Sequence, residues 1–131
     1  MNIAPLPPLR GLYLVTPDMA DTASLVSRVA PLLPLGPRLL QYRNKSADAP
    51  LRRAQASALL SLCDKAGVPL LINDDWRLAT ELGAAGAHLG RDDGGLREAR
   101  EAMGPAAILG ASCYGDAGLA RSAARRGALS A

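Results

Sequence analysis

Residues 68–90 read VPLLINDDWRLATELGAAGAHLG. An apolar run, VPLLIND (68–74), ends abruptly in polar residues. DWRLATELG (75–83) has helical spacing and ends on a glycine. GAHLG (86–90) is again short and apolar. Two strands joined by one short helix form a βαβ unit, and such units build parallel sheets. The apolar runs are continuous, not alternating, as expected of strands covered by helices.

The same order extends in both directions. GLYLVTP (11–17) and PRLLQYRNK (37–45) are strand candidates upstream, and AAILGAS (106–112) is one downstream. Helical text follows each. It begins near Thr22, although Pro31 and Pro34 should break or end that helix. DAPLRRAQASALLSLCDKAG (48–67) is the clearest helix. Pro50 suits its first turn, Gly67 suits its C-terminal cap, and Leu51, Ala54, Ala58, Leu62 and Ala66 lie on one face. DGGLREAREAMG (93–104) places Leu96, Ala99 and Met103 together. DAGLARSAARRG (116–127) is the last predicted helix, closed by Gly127. Five strand–helix units therefore follow one another. An open doubly wound sheet and a (β/α)8 barrel both meet that description, and the lack of a GxGxxG turn or P-loop disfavours nucleotide-binding open sheets.

Composition limits the alternatives. With 131 residues, 49% hydrophobic and 21% charged, the chain is expected to be one soluble domain. A net charge of +3 and 3% aromatic content argue against nucleic-acid binding. Cys63 and Cys113 have no CxxC spacing, which disfavours zinc and fits a reducing, cytoplasmic compartment. Residues 1–10 read as an N-terminal extension without a secretory apolar region, and no run is long enough to span a bilayer.

Polar residues cluster where each strand ends: Thr16, then Gln41, Arg43 and Lys45, then Asn73, Asp74 and Asp75, then Arg91, Asp92 and Asp93, then Ser112. All are C-terminal ends, the rim on which α/β folds build their sites. Alternation along a strand puts Gln41, Arg43 and Lys45 on one face, with Tyr42 and Asn44 on the other. A glutamine below two cations suits a ligand with a hydrogen-bonding ring and a phosphate or pyrophosphate tail. Asp74 and Asp93 follow different strands at equivalent positions, as Mg²⁺ ligands do, or Asp92 or Asp93 caps the helix at 93–104. Asn73 reads a heterocycle or holds a turn. His88 reads as packing and Trp76 as packing its helix onto the sheet. Ser112 lacks a GxSxG setting, and nothing near Cys113 lowers its pKa.

Taken together, GLYLVTP, LLQYRNK, LLINDDWRLATELGAAGAHLGRDD and ILGAS resemble thiamine-phosphate synthases in order and spacing, from about Gly11 onward. The Q-x-R-x-K, I-N-D and H-L-G-x-x-D elements are jointly specific. The resemblance implies a (β/α)8 TIM barrel over 11–131, here incomplete at about five βα units. It implies an enzyme of thiamine biosynthesis that joins hydroxymethylpyrimidine diphosphate to thiazole phosphate with Mg²⁺. By motif, Gln41 and Asn73 become pyrimidine readers, Arg43 and Lys45 the diphosphate clamp, and Asp74 and Asp93 the Mg²⁺ ligands. Ser112 is similar to the family serine that faces the diphosphate and the reacting carbon, so the resemblance makes Ser112 and Lys45 the catalytic candidates. Eight units at about 26 residues each would need roughly 210 residues. Strands six to eight and the thiazole-phosphate loops are therefore expected to be missing, as in a fragment or a truncated gene product. Open barrel edges would favour self-association. The alternative function is a non-catalytic remnant that binds the pyrimidine diphosphate and Mg²⁺.

Overall fold

The structure, a computed structural model, describes residues 12–90, 93–111 and 129–130, with 93–94 and 129–130 described by backbone alone. The elements are β1 (Tyr13–Val15), α1 (Thr22–Val29), β2 (Leu39–Tyr42), α2 (Ala49–Ala66), β3 (Leu70–Asn73), α3 (Trp76–Leu82), β4 (Gly86–Leu89), α4 (Asp93–Met103), β5 (Ile108–Ala111) and β6 (Leu129–Ser130). Every paired strand is parallel, and the sheet order is β1-β2-β3-β4-β5-β6. A doubly wound sheet reverses its order at a switch point. This one never does, so it is the arc of a TIM-type barrel, and the described strands do not close it.

Local chemistry sets the element ends. Asp21, Asp48 and Asp75 cap α1, α2 and α3, accepting hydrogen bonds from the main-chain N–H groups of Ser24, Leu51 and Leu78. This satisfies donors that the first helical turn leaves open. Gly67 closes α2 at φ 70° and Gly83 closes α3 at φ 75°, a left-handed conformation that glycine adopts without steric cost. The prolines act as their chemistry requires. α1 stops at Val29, and Ala30–Leu35, which contains Pro31 and Pro34, is a 3₁₀ helix.

Alternate strand residues bury one face. Leu40, Tyr42, Leu70, Ile72, Ala87, Leu89, Leu109 and Ala111 form one core with Leu25 and Val29 of α1, Ala56, Leu59 and Cys63 of α2, Leu78 and Ala79 of α3, and Leu96 and Ala99 of α4. Trp76 and Met103 pack against it, as their positions predict. Three expectations need correction. The buried face of α2 is Gln55, Ala56, Leu59 and Cys63, while Ala54 and Ala66 are exposed. Alanine sits equally well on either side of a helix, so an alanine-rich pattern does not orient it. The second strand ends at Tyr42, leaving Arg43 and Lys45 on a loop. A sixth strand, expected to be missing, is present at Leu129–Ser130 beside β5. The N-terminal extension and the helix predicted at 116–127 lie outside the described residues.

Cys63 is fully buried, and burial, with help from Asp64, pushes its thiol from about 9 up to about 11. The fold therefore favours the neutral thiol. This stabilisation is complete below the unfolded pKa and is lost as pH rises from about 9 to about 11. The loss reaches at most roughly 3 kcal/mol. Denaturant titrations at about pH 8 and about pH 10.5 should show a smaller drop for Cys63→Ala than for the parent. Equal drops would remove Cys63 as the cause.

Candidate functional site

The site is built on the loops that follow β1, β2 and β3. Gln41 is the third residue of β2, 9% exposed, with the parity opposite to the core residues Leu40 and Tyr42. Beyond Tyr42 the loop keeps the same alternation. Asn44 turns inward, 6% exposed, and donates to the Met19 carbonyl (2.8 Å) and to Gln55 Oε1 (2.9 Å). Arg43 is half-buried and Lys45 exposed.

The loop after β3 turns sharply. Asp74 has φ 62°, in the left-handed region that among non-glycine residues favours Asn and Asp. Its N–H donates to the His88 carbonyl (2.7 Å), and the Asp75 N–H donates to the Asn73 carbonyl (2.7 Å). Asp75 is committed to structure. Its Oδ1 caps α3, and its Oδ2 meets Arg52 Nη1 at 3.5 Å. Among the described residues, Asn73 Nδ2 donates a long hydrogen bond of 3.4 Å to the Asp74 carboxylate.

A cleft of about 550 Å³ opens between these loops, lined by Tyr42, Asn44, Lys45, Arg52, Asn73, Asp74 and Asp75. Lys45 and Arg52 supply positive charge, and Asp74 and Asp75 negative charge. Three sequence candidates, Lys45, Asn73 and Asp74, therefore share one cleft. Gln41 and Arg43 are nearby on β2 and its loop but do not line it. The Asp93 side chain and all of Ser112 lie outside the described residues.

Arg52 was not anticipated. It sits in the first turn of α2 and also donates from Nη2 to the Ala47 carbonyl (3.2 Å). A signal for it existed: helical side chains lean toward the N-terminus, so a cation one turn inside a helix that starts at the rim reaches back to that rim.

His88 lies beside Asn73 on β3 and Gly110 on β5. A Cβ on Gly110 would come within 2.5 Å of His88 Nδ1, so glycine at 110 is what leaves room for the imidazole. Burial lowers the His88 pKa from its ordinary value, and the Asp74 charge opposes that shift. Burial thus favours the neutral ring, which packs against Gly110.

The donors in the cleft suit a hard cation. Mg²⁺ takes oxygen ligands, often one or two carboxylates completed by water and phosphate oxygens. Asp74, an open carboxylate among cations and an amide, meets that requirement. Among the described residues, no group of three or more His, Cys, Asp or Glu side chains could hold a metal by itself.

Comparison with known proteins agrees with the geometry. A family model described as thiamine monophosphate synthase matches residues 12–130. The thiamine-phosphate synthase of Xanthomonas campestris pv. campestris (strain 8004) is 56% identical over 119 residues, which is 91% of this chain and 57% of that protein. The thiamine-phosphate synthase of Azoarcus sp. (strain BH72) is 54% identical over 121 residues, covering 92% and 58%. A solved thiamine phosphate pyrophosphorylase from Pyrococcus furiosus superposes with a TM-score of 0.73 at 27% identity, covering 89% of this chain and 56% of that one. The chain thus spans little more than half the length of these relatives. A parallel sheet in unbroken sequential order, a rim cleft of mixed charge and a family match along nearly all of the chain lead to one conclusion: it belongs to the thiamine monophosphate synthase family.

Proposed function

We propose that this chain carries the pyrimidine-diphosphate half of a thiamine-phosphate synthase site, in an enzyme that transfers the pyrimidinylmethyl group to a thiazole phosphate. The observation that carries this reading is Lys45, Asn73 and Asp74 meeting in one cleft. Gln41 and Asn73 read the aminopyrimidine edge. Arg43 and Lys45 hold the diphosphate, one as a fork and one as a point charge. Asp74, with Asp93, would hold Mg²⁺, which when bound supplies further positive charge to the leaving diphosphate. The C–O bond to diphosphate breaks, its electron pair leaves with the diphosphate, and the pyrimidine ring stabilises the resulting carbocation. The thiazole nitrogen then donates its lone pair to that carbon. Protein cations offset the charge where it develops, so Lys45, together with Ser112, is assigned to the chemical step. No protein nucleophile is required. The setting is cytoplasmic, and the ligands are small phosphates, not nucleic acid.

The test is calorimetric titration with the pyrimidine diphosphate, with and without Mg²⁺, followed by a coupling assay with thiazole phosphate. Magnesium-dependent binding with product formation is expected of the synthase. Binding without product would favour the non-catalytic alternative. No binding by folded protein would overturn both.

The partner proposed for the sheet edge is a second copy of the chain. Val15 of β1 is 54% exposed, and Leu12, Tyr13, Leu32 and Leu35 are exposed as well. Val15 and Leu32 border one groove of about 260 Å³. Among the described residues β1 pairs on one side alone, and apolar side chains along such an edge favour pairing with another chain. Sedimentation velocity should show species above monomer mass that grow with concentration and diminish in Val15→Lys. A monomer at all concentrations would contradict this.

A further inference from the structure

We infer that Gln55 is a positioning residue that sets the spacing between Arg43 and Lys45, and so makes the site prefer a diphosphate over a monophosphate. The inference rests on the diphosphate reading above. Gln55 is 0% exposed on the buried face of α2. Its Oε1 accepts from the Tyr42 hydroxyl (2.6 Å) and from Asn44 Nδ2 (2.9 Å), and its Nε2 donates to the Met19 carbonyl (2.8 Å). Asn44 Nδ2 donates to the same carbonyl, and its Oδ1 accepts from the N–H and hydroxyl of Ser46 (3.2 and 2.9 Å). The network is fully satisfied: no buried side-chain N or O among the described residues lacks a partner.

Burying an amide is not needed to pack a helix on a sheet. An apolar residue of similar size would do so without desolvating a polar group. What the network adds is geometry. The segment between β1 and α1 grips three consecutive residues of the next loop. Thr16 Oγ1 accepts from the Arg43 N–H (3.0 Å) and donates to the Arg43 carbonyl (3.2 Å). Met19 holds Asn44, and Asp18 Oδ1 accepts from the Lys45 N–H (3.2 Å). Gln55 fastens both Met19 and Asn44 to α2, so gripping segment and gripped loop share one anchor. The Arg43 and Lys45 main chains are then held on either side of a buried, fully bonded Asn44. Two cations rising from one held stretch of main chain can each meet one of two linked phosphates, whereas a single phosphate gains little from the second.

The experiment measures affinity for inorganic pyrophosphate and for inorganic phosphate, each with Mg²⁺, in the parent chain, Gln55→Leu, Thr16→Val and the core control Leu59→Ala. Gln55→Leu and Thr16→Val should weaken pyrophosphate binding on the order of tenfold to a hundredfold while phosphate binding changes little. Leu59→Ala, which only loosens the core, should leave the ratio of the two affinities unchanged. Thr16→Val acts through Arg43 alone, so it carries the test if Gln55→Leu does not fold. A parent-like ratio in the folded variants overturns this inference and leaves the diphosphate site standing. A parent chain that binds neither anion overturns the site and this inference together.

Discussion

Gly86→Ala is expected to destabilise the chain by about 3 kcal/mol or more. Gly86 pairs with Leu71 on β3 and Ile108 on β5. A methyl group added there would land on the Ile108 main-chain carbonyl. That carbonyl cannot swing aside cheaply, because it lies within the parallel ladder that pairs Gly86 with Ile108 and Ala87 with Leu109. The β4–β5 pair would have to separate in the middle of the sheet. Gly90→Ala is the control, since a Cβ there meets only Asp74 Oδ1 at 4.0 Å, an ordinary contact. Denaturant melts of both variants check the prediction. A Gly86→Ala protein as stable as Gly90→Ala would mean that β4 and β5 do not approach as described.

Asp74→Asn is expected to leave the fold intact and to remove the magnesium dependence of pyrimidine-diphosphate binding, at a cost on the order of 100-fold in affinity, about 2.7 kcal/mol. Asparagine tolerates the left-handed φ of 62° nearly as well as aspartate does, so the backbone has no reason to move. The change removes the negative charge that a hard cation needs. Alanine is the poorer choice, because it would add backbone strain to the loss of charge. Titration with and without Mg²⁺, beside a melt, separates the two effects. Retained magnesium dependence in Asp74→Asn would take Asp74 out of the metal site.

Much of the architecture could be read locally. Strand, helix and turn limits depend on neighbours in the chain: Asp75 capping α3, Gly67 and Gly83 ending helices, and Pro31 and Pro34 ending α1. The rim candidates were legible for the same reason, since an apolar run that turns polar marks a strand's C-terminal end. Lys45, Asn73 and Asp74 do meet in one cleft.

Three features were not legible. The orientation of α2 was hidden by alanines, which carry little preference for either face. The role of Gln55 was not read from the sequence, because its partners lie far away along the chain. Met19 is 36 positions distant, and only packing α2 against the segment between β1 and α1 brings them together. Arg52 of α2 and Asp75 ahead of α3 meet at 3.5 Å only once neighbouring βα units stand side by side. The amino-acid sequence by itself determined the order of elements from β1 to β5, most helix limits and the family, because these depend on short-range backbone preferences and on hydrophobic periodicity. The tertiary structure alone decided which polar residues are anchors and which are free to meet a ligand, because a buried amide is stable only where distant donors and acceptors converge.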